Sequence, residues 1–173
     1  TTDRQTVFNP AFHGYWNLDG ATTVSGHLMQ IEADRYLPVD HELIPIDAPA
    51  PVAGTVFDYR VPCLPDADLD HNFCLSDTRG PLRRVLTLTT DALRLDVETT
   101  EVGVQVYTGG GIDTTPHAGH GGQPYGANAG IAIEPQFWPD SPNHPDYPAA
   151  DLRPGETYRQ VSRFVVTRIN ERA

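Results

Sequence analysis

The stretch Gly130-Ile-Ala-Ile-Glu134-Pro-Gln-Phe-Trp-Pro-Asp-Ser-Pro-Asn-His-Pro145 decides how the chain folds and where its chemistry sits. Its first half reads as a strand, because alternation puts Ile131 and Ile133 on one face and Ala132, Glu134 and Gln136 on the other. A carboxylate and a carboxamide thus project together from a rigid element. Pro135 removes a backbone donor beside the glutamate, so the strand there lies at an edge, a bulge or an end, where a sheet can open towards a ligand. A glutamate on an amphipathic strand is ordinarily solvated. For Glu134 to carry chemistry, the rest of the chain must give it partners.

Working outward, period-two runs recur. Leu93, Leu95 and Val97 alternate with Arg94, Asp96 and Glu98, which describes a strand with one wet face. In Val102 to Tyr107 the valines at 102, 104 and 106 face one way and Gln105 and Tyr107 the other, a polar but uncharged face like that of the Glu134 strand. Further strands are expected at 24–32, 84–89 and 157–168, the last rich in β-branched and aromatic residues. No run of a dozen residues keeps a 3.6 period. With 15 Gly and 16 Pro, and turn-rich segments at 45–54 and 62–70, the chain reads as all-β. The expected architecture is mostly antiparallel, a sandwich or part of one.

At 173 residues and 39% apolar content the chain suits a single soluble domain, residues 1–173, with a real core. Nothing approaches the ~20 apolar residues of a membrane span. A net charge of −11 repels nucleic acid and anionic membranes and suits a neutral substrate, although a local pair such as Arg83 and Arg84 could hold a phosphate. Cys63 and Cys74 show no metal-type spacing and read as free thiols, which points to a reducing, cytoplasmic compartment.

The two polar-faced strands are joined by residues 108–128, a loop long enough to expect function or disorder. Its Gly109-Gly-Gly111 is followed by no Gly-Lys-Ser/Thr and is not a phosphate loop. His117 and His120 have no further ligand cluster nearby and read as solvated loop histidines rather than a metal site. Three other segments concentrate polar and aromatic groups. One is Asn9-Pro-Ala-Phe-His13-Gly-Tyr-Trp-Asn-Leu18, where rings surround a histidine; another is Asp68-Leu-Asp70-His-Asn-Phe73; the third is Gln105 with Tyr107. Rings that stack on C–H faces beside groups that bind hydroxyls suit a sugar.

Taken in order, these pieces resemble the aldose 1-epimerase (galactose mutarotase) family. They are His13-Gly-Tyr-Trp-Asn-Leu, His27 with Tyr36-Leu-Pro-Val-Asp and Leu43-Ile-Pro, Gly54-Thr-Val-Phe-Asp-Tyr-Arg60, Asp70-His-Asn-Phe, Gly103-Val-Gln-Val-Tyr-Thr-Gly109, Glu134-Pro-Gln136, Pro139-Asp-Ser-Pro-Asn-His-Pro145 and Leu152-Arg-Pro-Gly-Glu-Thr-Tyr158. The resemblance implies part of a large antiparallel β-sandwich, the supersandwich of galactose mutarotases, and an isomerase that interconverts the anomers of an aldohexose. It gives Glu134 the role of general base, His13 that of general acid, and Asp70 that of a hydroxyl-binding group. Gln105 and Tyr107 lie in the pocket-lining motif, and Gln136 in the base motif. The family pattern carries Asn immediately before the acid histidine, where this chain has Phe12. The match corresponds to the C-terminal half of family members, so the resemblance also implies an N-terminal half, bearing a substrate-binding arginine and a second histidine, as partner. A non-catalytic carbohydrate-binding or sugar-sensing domain is the alternative.

The expected roles fit the chemistry. Opening a hemiacetal removes one proton and delivers another, and the two groups exchange roles when the open chain recloses on its other face. Positioned groups with pKa values near working pH each contribute typically 10²–10⁴-fold. Histidine is already there, and a glutamate can be raised towards it by burial, here among Ile133, Phe137 and Trp138. The reaction needs no metal or organic cofactor.

Overall fold

A computed structural model of the chain describes residues 1–169. Twelve strands follow in order: β1 (Thr6–Val7), β2 (Tyr15–Trp16), β3 (Leu28–Ile31), β4 (Arg35–Tyr36), β5 (Ala50–Pro51), β6 (Asp70–Cys74), β7 (Arg83–Thr89), β8 (Leu93–Thr99), β9 (Gly103–Tyr107), β10 (Ile131–Gln136), β11 (Asp151–Leu152) and β12 (Ser162–Arg168). A single 3₁₀ turn covers Ser141–Asn143. The all-β expectation holds.

Two antiparallel sheets build the molecule. One has six strands in the order β2-β10-β9-β6-β4-β5 and the other four in the order β12-β8-β7-β3, while β1 and β11 form a separate pair. Alternation explains the layer between the sheets. Phe73, Val104, Val106, Ile131 and Ile133 come from the six-stranded sheet and meet Met29, Ile31, Leu86, Leu88, Leu95 and Val97 of the four-stranded one in a single buried cluster. Each such side chain, fully buried, contributes roughly 1.5–3 kcal/mol of transfer free energy. The other face of the four-stranded sheet is wet, as the charges on β8 foretell. Arg94 pairs with Asp96, and Glu98 with Arg163.

Several expectations are corrected. The strand expected at 24–32 starts only at Leu28, because Val24 to Gly26 form a turn closed by the His27 N–H donating to Val24 O. The strand expected at 157–168 starts at Ser162. Val102 does not share the face of Val104 and Val106. It precedes β9 and packs in a second cluster with Leu37, Cys74, Trp138 and Tyr147, its carbonyl accepting from Trp138 Nε1. Asp70 to Cys74, read as a polar segment, is a central strand. Arg83 and Arg84 cannot clasp one phosphate, because adjacent strand residues point to opposite faces. Arg83 donates to Thr99 O, Ser76 Oγ and Glu101 O, whereas Arg84 pairs with Glu32.

The two ends of this sandwich differ. At one end the outer edge of β3 is covered, since Met29 and Ile31 bond to the segment at Tyr59 and Cys63. At the other, β2 and β12 are both edge strands, brought together where Trp16 stacks on Phe164 at 5.3 Å between ring centroids. Cys63 and Cys74 are free thiols, and burial pushes that of Cys74 up to about 12. Among the described residues no helix is long and apolar enough to cross a membrane.

Candidate active site

The site lies on the face of the six-stranded sheet that looks away from the main core. Register assembles it in two rows. Glu134 on β10 lies opposite Gln105 on β9, which lies opposite Asn72 on β6. One step along, Tyr15 on β2, Ala132 on β10, Tyr107 on β9 and Asp70 on β6 stand side by side. Because side chains alternate, placing Ile131, Ile133, Val104 and Val106 in the core forces Glu134, Gln105 and Tyr107 onto this second face. Gly103 belongs to the same face, and only hydrogen fits there: a Cβ would come within 2.6 Å of Asn72 Oδ1 and 2.8 Å of Trp138 Cδ1.

Glu134 is buried, with 7% of its surface exposed. Desolvation raises its pKa above the ordinary carboxylate value, the neighbouring His13 opposes that rise, and the charge of Asp70 adds to it. Of the three side chains expected to bury it, Ile133 points the other way, into the main core. Trp138 flanks the site face beside Gly103. His13 stands beside the carboxylate, its Nε2 3.4 Å from Glu134 Oε1, and 54% of its side chain is exposed. Its ring lies 5.3 Å from that of Tyr15.

The remaining expected residues join the same face. Gln105 Nε2 donates to Asp70 Oδ1 at 2.6 Å, which couples pocket wall and carboxylate. Among the described residues, Gln105 Oε1 and Asn72 Oδ1 are buried acceptors without a donor. Tyr107 is fixed by its hydroxyl, which accepts the Gly111 N–H at 2.6 Å from the long loop. Gln136 closes β10 opposite Gly103. Two residues had not been singled out. Tyr15 packs edge-on to Tyr107 at 6.3 Å, and burial raises its phenol pKa, helped by Tyr107, Glu134 and Asp70. Asn72 follows Asp70 by two, so period two within Asp-His-Asn would have found it once that segment was read as a strand.

The long loop after β9 touches the row through Gly111 and beyond that folds on itself. Thr114 and Tyr125 bond each other across it, and His117 and His120 are exposed. Among the described residues no group of three or more His, Cys, Asp or Glu side chains is placed to hold a metal ion. The face thus gathers the His13–Glu134 pair, the Asp70 carboxylate, the carboxamides of Asn72, Gln105 and Gln136, and the phenols of Tyr15 and Tyr107.

Comparison with known proteins gives the same assignment. The family model described as aldose 1-epimerase matches residues 1–165. The chain is 42% identical over 171 residues to galactose mutarotase of Mus musculus, covering 92% of this chain and 49% of that protein. It is 40% identical over 182 residues to aldose 1-epimerase of Escherichia coli K12, covering 95% and 52%. A crystal structure of an aldose epimerase homologue from C. elegans superposes with a TM-score of 0.89 at 30% identity, over 98% of this chain and 54% of the other. Galactose 1-epimerase from Lactobacillus acidophilus gives 0.73 at 26%, over 96% and 51%. The chain spans about half the length of the curated relatives it matches. Fold, site face and this agreement over nearly the whole chain place the protein in the aldose 1-epimerase family.

Proposed function

We propose that this chain is the acid–base part of an aldose 1-epimerase acting on an aldohexose of the glucose or galactose type. Glu134 takes the proton from the anomeric hydroxyl as the bond from C1 to the ring oxygen breaks, and His13 gives a proton to that oxygen. The anomeric carbon becomes a carbonyl. Rotation about C1–C2 turns its other face to the ring hydroxyl, and reclosure returns both protons with the roles exchanged. Asp70, Gln105, Tyr107 and Gln136 bind the remaining hydroxyls.

The observation that carries this reading is the 3.4 Å approach of His13 Nε2 to Glu134 Oε1 on a polar sheet face. The two oxygens of a hemiacetal are attached to the same carbon, so the acid and the base must stand side by side, each within hydrogen-bond reach of one oxygen. A raised Glu134 pKa supports the role, since a base for a weakly acidic hydroxyl works best near neutrality. The residues form one β domain corresponding to the C-terminal half of family members, and an N-terminal half completes the pocket. A reducing, cytoplasmic compartment belongs to the same reading and rests on the two free thiols.

Polarimetry of freshly dissolved α-glucose or α-galactose tests it, with an N-terminal half of an aldose 1-epimerase supplied in trans. Glu134→Gln is expected to lower turnover by ~10³-fold or more while sparing sugar binding. Unchanged turnover removes Glu134 as the base. Saturable sugar binding without any acceleration by the parent protein would favour a non-catalytic sugar-binding domain instead.

A further inference from the structure

The strand that carries Glu134 is secured unequally on its two sides. Towards β9 it is paired at five successive positions, Ala132 to Gln136. Towards β2 it is paired only at Ile131 and Ala132. Among the described residues no strand lies beside the outer edge beyond Ala132, and Pro135 brings no N–H to that edge. Two side-chain amides stand there instead. Gln160, from the segment leading into β12, donates from Nε2 to Pro135 O at 2.7 Å. Asn9 bonds Phe137 twice, its Nδ2 donating to the carbonyl at 3.2 Å and its Oδ1 accepting the N–H at 2.8 Å. A carboxamide offers a donor and an acceptor side by side, so Asn9 copies one residue of a neighbouring strand.

Both residues are half-buried and held in turn. Tyr158 donates to Gln160 Oε1, and the Arg79 guanidinium, paired with the wholly buried Glu101, lies 4.6 Å over the Tyr158 ring. Phe8 is anchored by its N–H to Ala150 O and by edge contact with Tyr158. The sequence spacing gives these bonds their consequence. Asn9 lies four residues before His13, and Phe137 three after Glu134. With so much of its side chain exposed, His13 depends on its backbone for its place, and Asn9 ties that backbone to the strand of the base.

We propose that Asn9 and Gln160 are positioning residues, whose carboxamides complete the outer edge of the Glu134 strand and fix the distance between His13 and Glu134. The proposal rests on His13 and Glu134 being the acid–base pair, but it is tested without turnover. The titratable groups around Glu134 are His13, Asp70 and Tyr15, with Tyr107 beyond Tyr15. Because His13 holds the carboxyl's pKa down, replacing it by Gln raises the Glu134 titration midpoint, which is read by carbon NMR of ¹³C-labelled glutamate and assigned through Glu134→Gln.

In the parent chain that rise measures the coupling of the two side chains. In Asn9→Leu and in Gln160→Met the rise on His13→Gln is expected to fall to less than half. Gln30→Met is the control, since Gln30 also donates to a backbone carbonyl, at Arg60, but away from the site. It should leave the rise intact. An undiminished rise in folded Asn9→Leu and Gln160→Met overturns the proposal, as does an equal fall in Gln30→Met. If Asn9→Leu does not fold, Asn9→Asp keeps the acceptor for the Phe137 N–H, loses the donor, and is read by the same two outcomes. The expected fall together with no mutarotase activity when an N-terminal half is supplied in trans disproves the enzymatic reading and leaves the positioning intact.

Discussion

Glu134 shows how much a single residue's environment decides. Its identity and face were legible from alternation with Ile131 and Ile133, and its burial was expected; what the sequence misassigned is Ile133, which packs in the main core on the opposite face. Burial gives a pH signature whose sign follows from linkage. The folded pKa lies above the ordinary value of 4.5, so the neutral form is favoured by folding and the ionised form disfavoured. The stability this contributes is complete below the ordinary carboxylate range and is lost as pH rises through the folded value. Glu134→Gln, which stays neutral, is therefore expected to melt higher than the parent near pH ~8, and the difference should shrink near pH ~4. Melting curves at both pH values check this; a gain that grows on acidification contradicts it. His13 was found in the sequence from its aromatic setting and from the family motif, while Tyr15 was passed over as one of those aromatics.

At the scale of elements, β8, β9 and β10 were readable because their residue types alternate, although burial follows that alternation closely only in β8 and β10 is buried on both faces. β6 was hidden: Asp-His-Asn-Phe-Cys carries polar residues on its site face, and the turn-rich segment before it masked the start. β2 and β4 are two residues each and exist only through pairing, β2 with β10 and β4 with β6 and β5. Where β9 meets β6 and the loop after β10, packing is close enough for a sharp prediction. Gly103→Ala drives a methyl into Asn72 and Trp138, neither of which lies at a flexible surface tip. It should cost about 1–3 kcal/mol in denaturant unfolding and disturb the Asn72–Gln105–Glu134 row. Gly26→Ala, with open space around its Cβ, should be close to neutral in the same measurement.

At the scale of the whole molecule, two sheet edges stand side by side among the described residues. β2 and β12 end their sheets next to each other, and Phe8, Phe12, Val165 and Val166 are exposed in that region. Unpaired strand edges and contiguous apolar surface drive association. The isolated chain is expected to self-associate with rising concentration in sedimentation velocity and to mutarotate sugar slowly or not at all by polarimetry. Supplying an N-terminal half should reverse both; rapid mutarotation by the monomeric chain would sink this expectation. The sequence by itself determined the all-β class, the face on which β8, β9 and β10 carry polar residues, and the residues proposed above as acid, base and hydroxyl binders. Those depend on local alternation and on motifs, which are one-dimensional. Only the tertiary structure decided that Asp70, Gln105, Tyr107 and Glu134 share one sheet face, that Ile133 does not bury Glu134, and that two distant carboxamides bond the outer edge of its strand. Register, burial and edge pairing join residues far apart in the chain, and no local pattern specifies them.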